Sequence, residues 1–235
     1  MSRIPIKISD ILHCFNRGVL KTDIYNSDHD RWRFLEILRY KNNNANIHRW
    51  QKDVSSISSG HDLPWPHSWR SQEALVQIDG YILMNNHYHL ILTEILEGGI
   101  SSFMQKLGNT YVGYMKSKYN REERMFSGPY KAVKVLDDDQ IRMLFVYVLV
   151  KNSFECYPGG VKKAVENFDE AFKESRRNPF SSLGEIMGDR EPLISSNSTF
   201  SDLFGSPKEF KEFSKHQMHR RQAFFQEVDD IKLES

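Results

Sequence analysis

Two histidines spaced two residues apart, His87 and His89, lie inside the short apolar run Met84-Asn85-Asn86-His87-Tyr88-His89-Leu90-Ile91-Leu92. Residues i and i+2 of a strand project from the same face. A strand here therefore sets two imidazoles side by side and turns Tyr88 and Leu90 toward the opposite layer. Neutral imidazole is the commonest protein ligand for a divalent metal, and two of them supply most of a three-ligand site. Ordinary strand histidines satisfied by hydrogen bonds share this spacing, so His-x-His alone leaves both readings open. A second candidate is local charge. Between residues 106 and 134, Lys106, Lys116, Lys118, Arg121, Arg124, Lys131 and Lys134 stand against only Glu122 and Glu123, with Tyr119, Phe126 and Tyr130 among them. Cations interleaved with flat rings suit a phosphate backbone whose bases stack, as in single-stranded nucleic acid. A solvated helix face over core aromatics has the same composition.

The whole chain bounds these readings. Lys and Arg total 32 against 31 Asp and Glu, a net charge of +1, so overall charge does not single out a nucleic-acid binder and local distribution decides. An apolar fraction of 39% and an aromatic fraction of 12% over 235 residues suffice for a core, in one large domain or a domain with an appendage. The apolar runs are strand-sized, too short for a membrane-spanning helix, and Met1 to Lys7 lacks the apolar stretch of a secretory signal. Cys14 and Cys156 are the only cysteines and have no metal or redox spacing. The expectation is a cytoplasmic protein with reduced thiols.

The elements that must position the histidines follow from periodicity. Ile11 to Tyr25 reads as strand, turn, strand, with Ile11, His13 and Phe15 on one face. Asn26-Ser27-Asp28 opens a helix that runs to Tyr40, and 41–69 is loop-like. Ala74 to Met84 is a strand, and His87 to Thr93 is its continuation or hairpin partner. Ser101 caps a helix to Tyr119 with Phe103, Met104, Leu107, Tyr111, Tyr114 and Met115 at three- and four-residue steps. A polar, basic turn leads into a strand at Ala132 to Leu136. Asp137 then caps a helix that buries Ile141, Leu144, Phe145, Val148 and Leu149 and ends near Asn152 or Phe154. Beyond Tyr157-Pro158-Gly159-Gly160 come a helical stretch from Val161 to Lys173, a loop to Gly205, and an amphipathic helix from Pro207 to Phe225 with Phe210, Phe213, Met218 and Phe224. This divides the chain into a core at 8–154 and a mostly helical C-terminal extension at 155–235.

Met84-Asn85-Asn86-His87-Tyr88-His89-Leu90 resembles the HUH motif (His, bulky hydrophobe, His) of single-tyrosine transposases, most closely the REP-associated tyrosine transposase branch. The likeness extends to His13 to Gly18, to Asp23-Ile24-Tyr25 with Arg31-Trp32-Arg33-Phe34-Leu35, to Phe103-Met104-Gln105-Lys106-Leu107 and to Phe126-Ser127-Gly128-Pro129-Tyr130-Lys131, in family order over most of 11–154. The resemblance implies an α+β, ferredoxin-like fold: a central antiparallel sheet with helices packed on one face. It also implies a nucleophilic tyrosine on the helix after the basic turn, and the matching residue is Tyr147. Tyr111, Tyr114 and Tyr130 are weaker candidates. At about 100° per residue, Tyr147 falls at the margin of the stripe formed by Ile141, Phe145, Val148 and Asn152. The family usually places a third metal ligand, such as Asn, four residues after the tyrosine; here Lys151 stands there and Asn152 follows at five. Positions five apart in a regular helix diverge by about 140°, which a single wide turn or a helix end would correct.

The chemistry so implied is transesterification of single-stranded DNA beside a hairpin. Tyr147 attacks a phosphodiester, giving a 5′-phosphotyrosine and a free 3′-hydroxyl, and the bond can be resealed onto another strand. A divalent cation, Mg²⁺ or Mn²⁺, on His87, His89 and Asn152 stabilises the charge that develops on the phosphate. Arg17, Lys106 and Lys131 are expected to hold backbone phosphates, and the resemblance implies a homodimer that associates with the nucleoid when bound to DNA. Two alternatives belong to other classes. One is a DNA-binding protein of the same fold that has lost cleavage, with Lys151 as the symptom. The other is a metal-dependent hydrolase of unrelated fold, which predicts Asp79 or Glu94 near the histidine pair.

Overall fold

The computed structural model describes residues 5–45, 47, 50–55, 62–196 and 198–220. Its centre is a four-stranded antiparallel sheet of β1 (Ile11–Arg17), β2 (Val76–Met84), β3 (His87–Glu94) and β4 (Lys131–Lys134), in the order β2-β3-β1-β4. Apolar side chains occupy both faces of β2 and β3, so both faces need cover. Leu12, Cys14, Ile78, Tyr81, Tyr88, Leu90 and Leu92 point into one core with Phe34 and Leu38 of α1 (Asp28–Lys41) and Phe103, Leu107 and Tyr111 of α3 (Gly99–Tyr119). The short α2 (Trp50–Ser55) adds Trp50 and Val54 to it. The α+β class with helices packed on an antiparallel sheet is thus present.

The histidine-bearing face has a core of its own. Ile82, Met84 and Ile91 pack with Phe145, Val148, Leu149, Phe154, Phe168, Phe172, Phe200, Phe204 and Phe210. With Ala164, Val165, Leu183 and Ile186, these come from α4 (Asp138–Phe145), a π-helical turn (Val146–Lys151), α5 (Asn152–Phe154), α6 (Gly160–Glu166), α7 (Phe168–Ser175), α8 (Leu183–Ile186), α9 (Ser198–Phe204) and α10 (Pro207–Arg220). The C-terminal residues also line the outer edge of β2. Leu83 N–H donates to Phe180 O (2.9 Å), Ser182 N–H to Tyr81 O (2.9 Å) and Ser196 N–H to Ile78 O (2.7 Å), which occupies an edge that would otherwise be open. No helix among the described residues is long and apolar enough to cross a membrane.

Several local expectations change for identifiable reasons. The second half of the expected Ile11–Tyr25 hairpin is not a strand, because its backbone donors are spent elsewhere. Gly18 N–H reaches Asn86 O (2.8 Å), Val19 N–H reaches Met125 O (3.0 Å) and Ile24 N–H reaches Asn85 O (3.0 Å), across a 3₁₀ turn at Val19–Lys21. Ser101 does not cap α3. The Glu94 carboxylate at the end of β3 accepts the Ile100 N–H (2.7 Å) and places negative charge at the positive end of that helix. Asp137 caps α4 as expected, accepting Gln140 N–H at 2.8 Å. The expected helix at Val161–Lys173 is two, α6 and α7, divided at Asn167. Phe224 and Phe225 lie outside the described residues.

Asp30 fixes α1 to α3. Its buried carboxylate accepts bonds from Tyr114 Oη (2.6 Å), Lys118 Nζ (2.6 Å), Tyr119 Oη (2.8 Å) and Asn26 N–H (2.9 Å). Burial alone would raise its pKa, but these donors outweigh it and hold the carboxyl well below the usual range.

Candidate functional site

Antiparallel pairing decides which residues share the histidine face. Arg17 lies opposite His87 and Phe15 opposite His89 on β1; Met84 lies opposite His87 and Ile82 opposite His89 on β2; Lys131 lies opposite Phe15 on β4. Directly paired residues project to the same side, so β1 adds Arg17, Phe15 and His13 to the row begun by His87 and His89. The two imidazoles of β3 meet edge to face with centroids 4.9 Å apart. His13 is buried against them: its Nε2 lies 2.8 Å from His89 Nδ1, one nitrogen donating and the other accepting, and its ring stacks on His89 and Phe15.

Tyr147 is brought to this row by the helical layer above the sheet. Its ring stands edge-on to His13 (centroids 5.7 Å, 74°) and to His89 (5.6 Å, 84°). The wide turn is also present. The Asn152 N–H donates to Tyr147 O, an i→i+5 bond of a π turn, so residue 152 follows one turn after Tyr147. Asn152 is buried, and neither its Oδ1 nor its Nδ2 has a hydrogen-bond partner. Lys151 remains at the site as well, with Nζ 5.3 Å from the Tyr147 ring centroid and 2.6 Å from Glu155 Oε1.

Burial and this charge pattern set the protonation states. His87 Nδ1 donates to Asn86 Oδ1 (2.6 Å), which leaves Nε2 as the nitrogen with the lone pair. Burial first, then the positive charges of Arg17 and Lys151, lower the His87 pKa to about 4, so the ring is neutral at pH 7. Burial, helped by the Glu155 carboxylate, pushes the Tyr147 hydroxyl up to about 12. Burial lowers the Arg17 pKa against the opposing pull of Glu155.

Of the cations expected to meet phosphate, Arg17 and Lys131 lie on the histidine face. Lys106 does not: it is on α3, across the sheet, where its ammonium donates to Asn43 O (2.7 Å) beyond the end of α1. Tyr111 is buried and donates to Ile24 O, and Tyr114 donates to Asp30; both lie in that other layer. Asp79 and Glu94 do not join the histidines. Asp79 is the bulged residue of β2, between the pairs Ile78–Leu92 and Gly80–Ile91, and takes a bond from Thr93 Oγ1 (2.6 Å), toward the end of β3 away from His87. Glu94 caps α3 from the opposite face. Among the described residues no three His, Cys, Asp or Glu side chains form a group that could hold a metal ion, so any third ligand must be of another type. Two contributors were not expected. Strand alternation puts His13 on the histidine face, but its pairing with His89 depends on a strand register that local sequence does not encode. Glu155 carries a helical i+4 relation to Lys151 that was readable.

No protein-family model and no curated protein matches the chain. Among solved structures it is similar to a REP-associated tyrosine transposase bound to a REP hairpin, at 12% identity, over 85% of this chain and 92% of that one, with a TM-score of 0.45. A likeness this distant carries no information about the roles of residues.

Proposed function

We propose that this protein nicks and joins single-stranded DNA beside a hairpin by transesterification, with Tyr147 as the nucleophile. The observation that carries the reading is the meeting of Tyr147, from the helical layer, with the strand histidines His89 and His13 on one sheet face. The sequence motifs from His13 to Lys131 support it independently.

A divalent cation, Mg²⁺ or Mn²⁺, is part of this proposal, and the donors present fit one. His87 is neutral, with Nδ1 bound to Asn86 and Nε2 available for ligation. If His89 ligates through Nε2, its Nδ1–H becomes the donor to His13 Nε2, an arrangement that fixes ring orientation. The buried amide of Asn152, without partners, supplies a neutral oxygen. Bound there, the cation would stabilise charge developing on the scissile phosphate. The chain's own groups do the rest. Arg17 and Lys131 hold the backbone, and the rings of His13 and His89 fix the Tyr147 ring in orientation. The Tyr147 oxygen bonds to phosphorus as the bond to O3′ breaks; the phenolic proton leaves to solvent and the 3′-oxygen acquires one. Because phosphodiester number is unchanged, rejoining needs no nucleotide cofactor.

The test is covalent capture. Wild-type protein incubated with Mn²⁺ and a single strand flanked by a hairpin should form a denaturation-resistant adduct with the fragment whose 5′-phosphate the nick creates, and Tyr147→Phe should form none. An adduct with Tyr147→Phe removes Tyr147 from the role. Lys151, at the position where the motif usually carries a metal ligand, favours a second reading: a DNA-binding protein of this fold without cleavage. Oligonucleotide binding with no adduct in Mg²⁺ or Mn²⁺ would select it.

A further inference from the structure

Lys151 is 1% exposed, and an ammonium that far from water must have a negative partner. The carboxylate paired with it, however, is not buried. The Glu155 side chain, 2.6 Å away, is 33% exposed, so it can rotate into solvent while the ammonium cannot. Arg17 is half-buried on the adjoining strand, with its Nε buried and lacking a hydrogen-bond partner. The charge of Glu155 reaches both Arg17 and Tyr147.

We infer that Lys151 and Arg17 form a phosphate-binding site beside Tyr147 and that Glu155 occupies it in the free protein as an internal counter-anion, displaced when a phosphodiester arrives. The inference rests on the DNA reading for the identity of the ligand and extends it by naming a cationic contact to the phosphate next to the nucleophile. The phosphate oxygen takes over the Lys151 hydrogen bond and satisfies Arg17, and the Glu155 carboxylate turns outward to water. Charge-assisted bonds of this kind are about twice as strong as neutral ones, so the exchange is between equals and the entering anion competes directly with Glu155.

A double-mutant cycle tests it in the Tyr147→Phe background, where no turnover intervenes. Binding of a fluorescein-labelled oligothymidylate is measured by anisotropy for Glu155→Gln, Lys151→Met and the pair, with circular dichroism to verify folding. Glu155→Gln should tighten binding about 5-fold and Lys151→Met should weaken it about 10-fold, as expected for one charge-assisted contact. In the Lys151→Met background Glu155→Gln should have no effect, because there is no ammonium left to release. Equal tightening in both backgrounds would mean that Glu155 acts only by general repulsion, and overturns the inference, as does wild-type affinity in Lys151→Met. Lys151→Arg, which keeps the charge, should bind within a few-fold of the parent and keep the tightening by Glu155→Gln, and it replaces Lys151→Met as the probe if the latter misfolds; absence of that tightening in a folded Lys151→Arg overturns the inference. The same cycle titrated with inorganic phosphate separates the two ideas. Absence of oligonucleotide binding refutes the DNA reading, whereas absence of coupling between Lys151 and Glu155 in phosphate binding refutes this site.

Discussion

Acidification should destabilise the folded protein through His87. Burial, with Arg17 and Lys151 nearby, moves protonation of this imidazole from 6.5 down to about 4 in the folded chain. The unfolded chain therefore takes up the proton first as pH falls. The contribution is fully present above pH 6.5, shrinks through the interval from 6.5 to 4, and is gone below it. At about 1.4 kcal/mol per pH unit the loss is about 2 kcal/mol by pH 5 and about 3 kcal/mol by pH 4, an upper figure because the ring retains some solvent contact. The assay is urea unfolding at pH 7, 6 and 5, in the presence of a chelator, for wild type and His87→Gln, which keeps a donor for Asn86 Oδ1. Contributions of other groups are common to both proteins and cancel in the difference. Wild type should lose about 2 kcal/mol more than the variant between pH 7 and 5. Parallel curves would show that His87 is not held neutral by its surroundings, and the argument that it presents a neutral Nε2 at physiological pH would fall with it.

Lys106→Ala should lower thermal stability by removing the bond to Asn43 O while leaving the affinity for single-stranded DNA within about 2-fold, whereas Lys131→Ala should weaken that affinity and reduce its salt dependence by about one unit; anisotropy at several salt concentrations separates them. Asp30→Asn should cost about 3 kcal/mol at pH 7, since five donors, Ser27 Oγ among them, lose a charged acceptor. Because the Asp30 carboxyl is held below the usual range, its contribution is present above about pH 4 and fades at lower pH, so the gap between wild type and Asp30→Asn in chemical denaturation should narrow below pH 4.

The histidine strand and its neighbour are legible because strand-sized apolar runs bounded by turn residues are a local property. Val76–Met84 and His87–Glu94 are such runs, buried on both faces, and Asp137 marks the start of α4 by its capping side chain. What could not be read is non-local. The pairing of Phe15 with His89 places His13 beside the histidine pair, and nothing within β1 specifies that register. The backbone donors that prevent a second strand after Gly18 reach Asn86, Met125 and Asn85, all more than sixty residues away in the chain. The wide turn lies between these cases. Its need followed from the five-residue step between Tyr147 and Asn152, but Val146–Lys151 has no sequence signal for a π turn, and apolar packing of Val148, Leu149 and Val150 on the sheet accommodates it.

The C-terminal helices bear on the site through packing. Phe200 and Phe204 of α9 meet Phe145 edge to face at 5.8 and 5.9 Å, immediately before the turn that carries Tyr147, and Phe210 of α10 packs on both. Phe154, just after the turn, packs on Phe168 of α7. The π turn is thus anchored at both ends by aromatic contacts to residues 168–210. An i→i+5 turn has a poorer intrinsic geometry than the α-helix it replaces, and such a conformation persists where its surroundings over-determine it. On this account the helices that close the second sheet face also hold Tyr147 at the imidazoles, which explains why a core whose sheet, α1 and α3 form one packed layer still needs more than fifty further residues on the other.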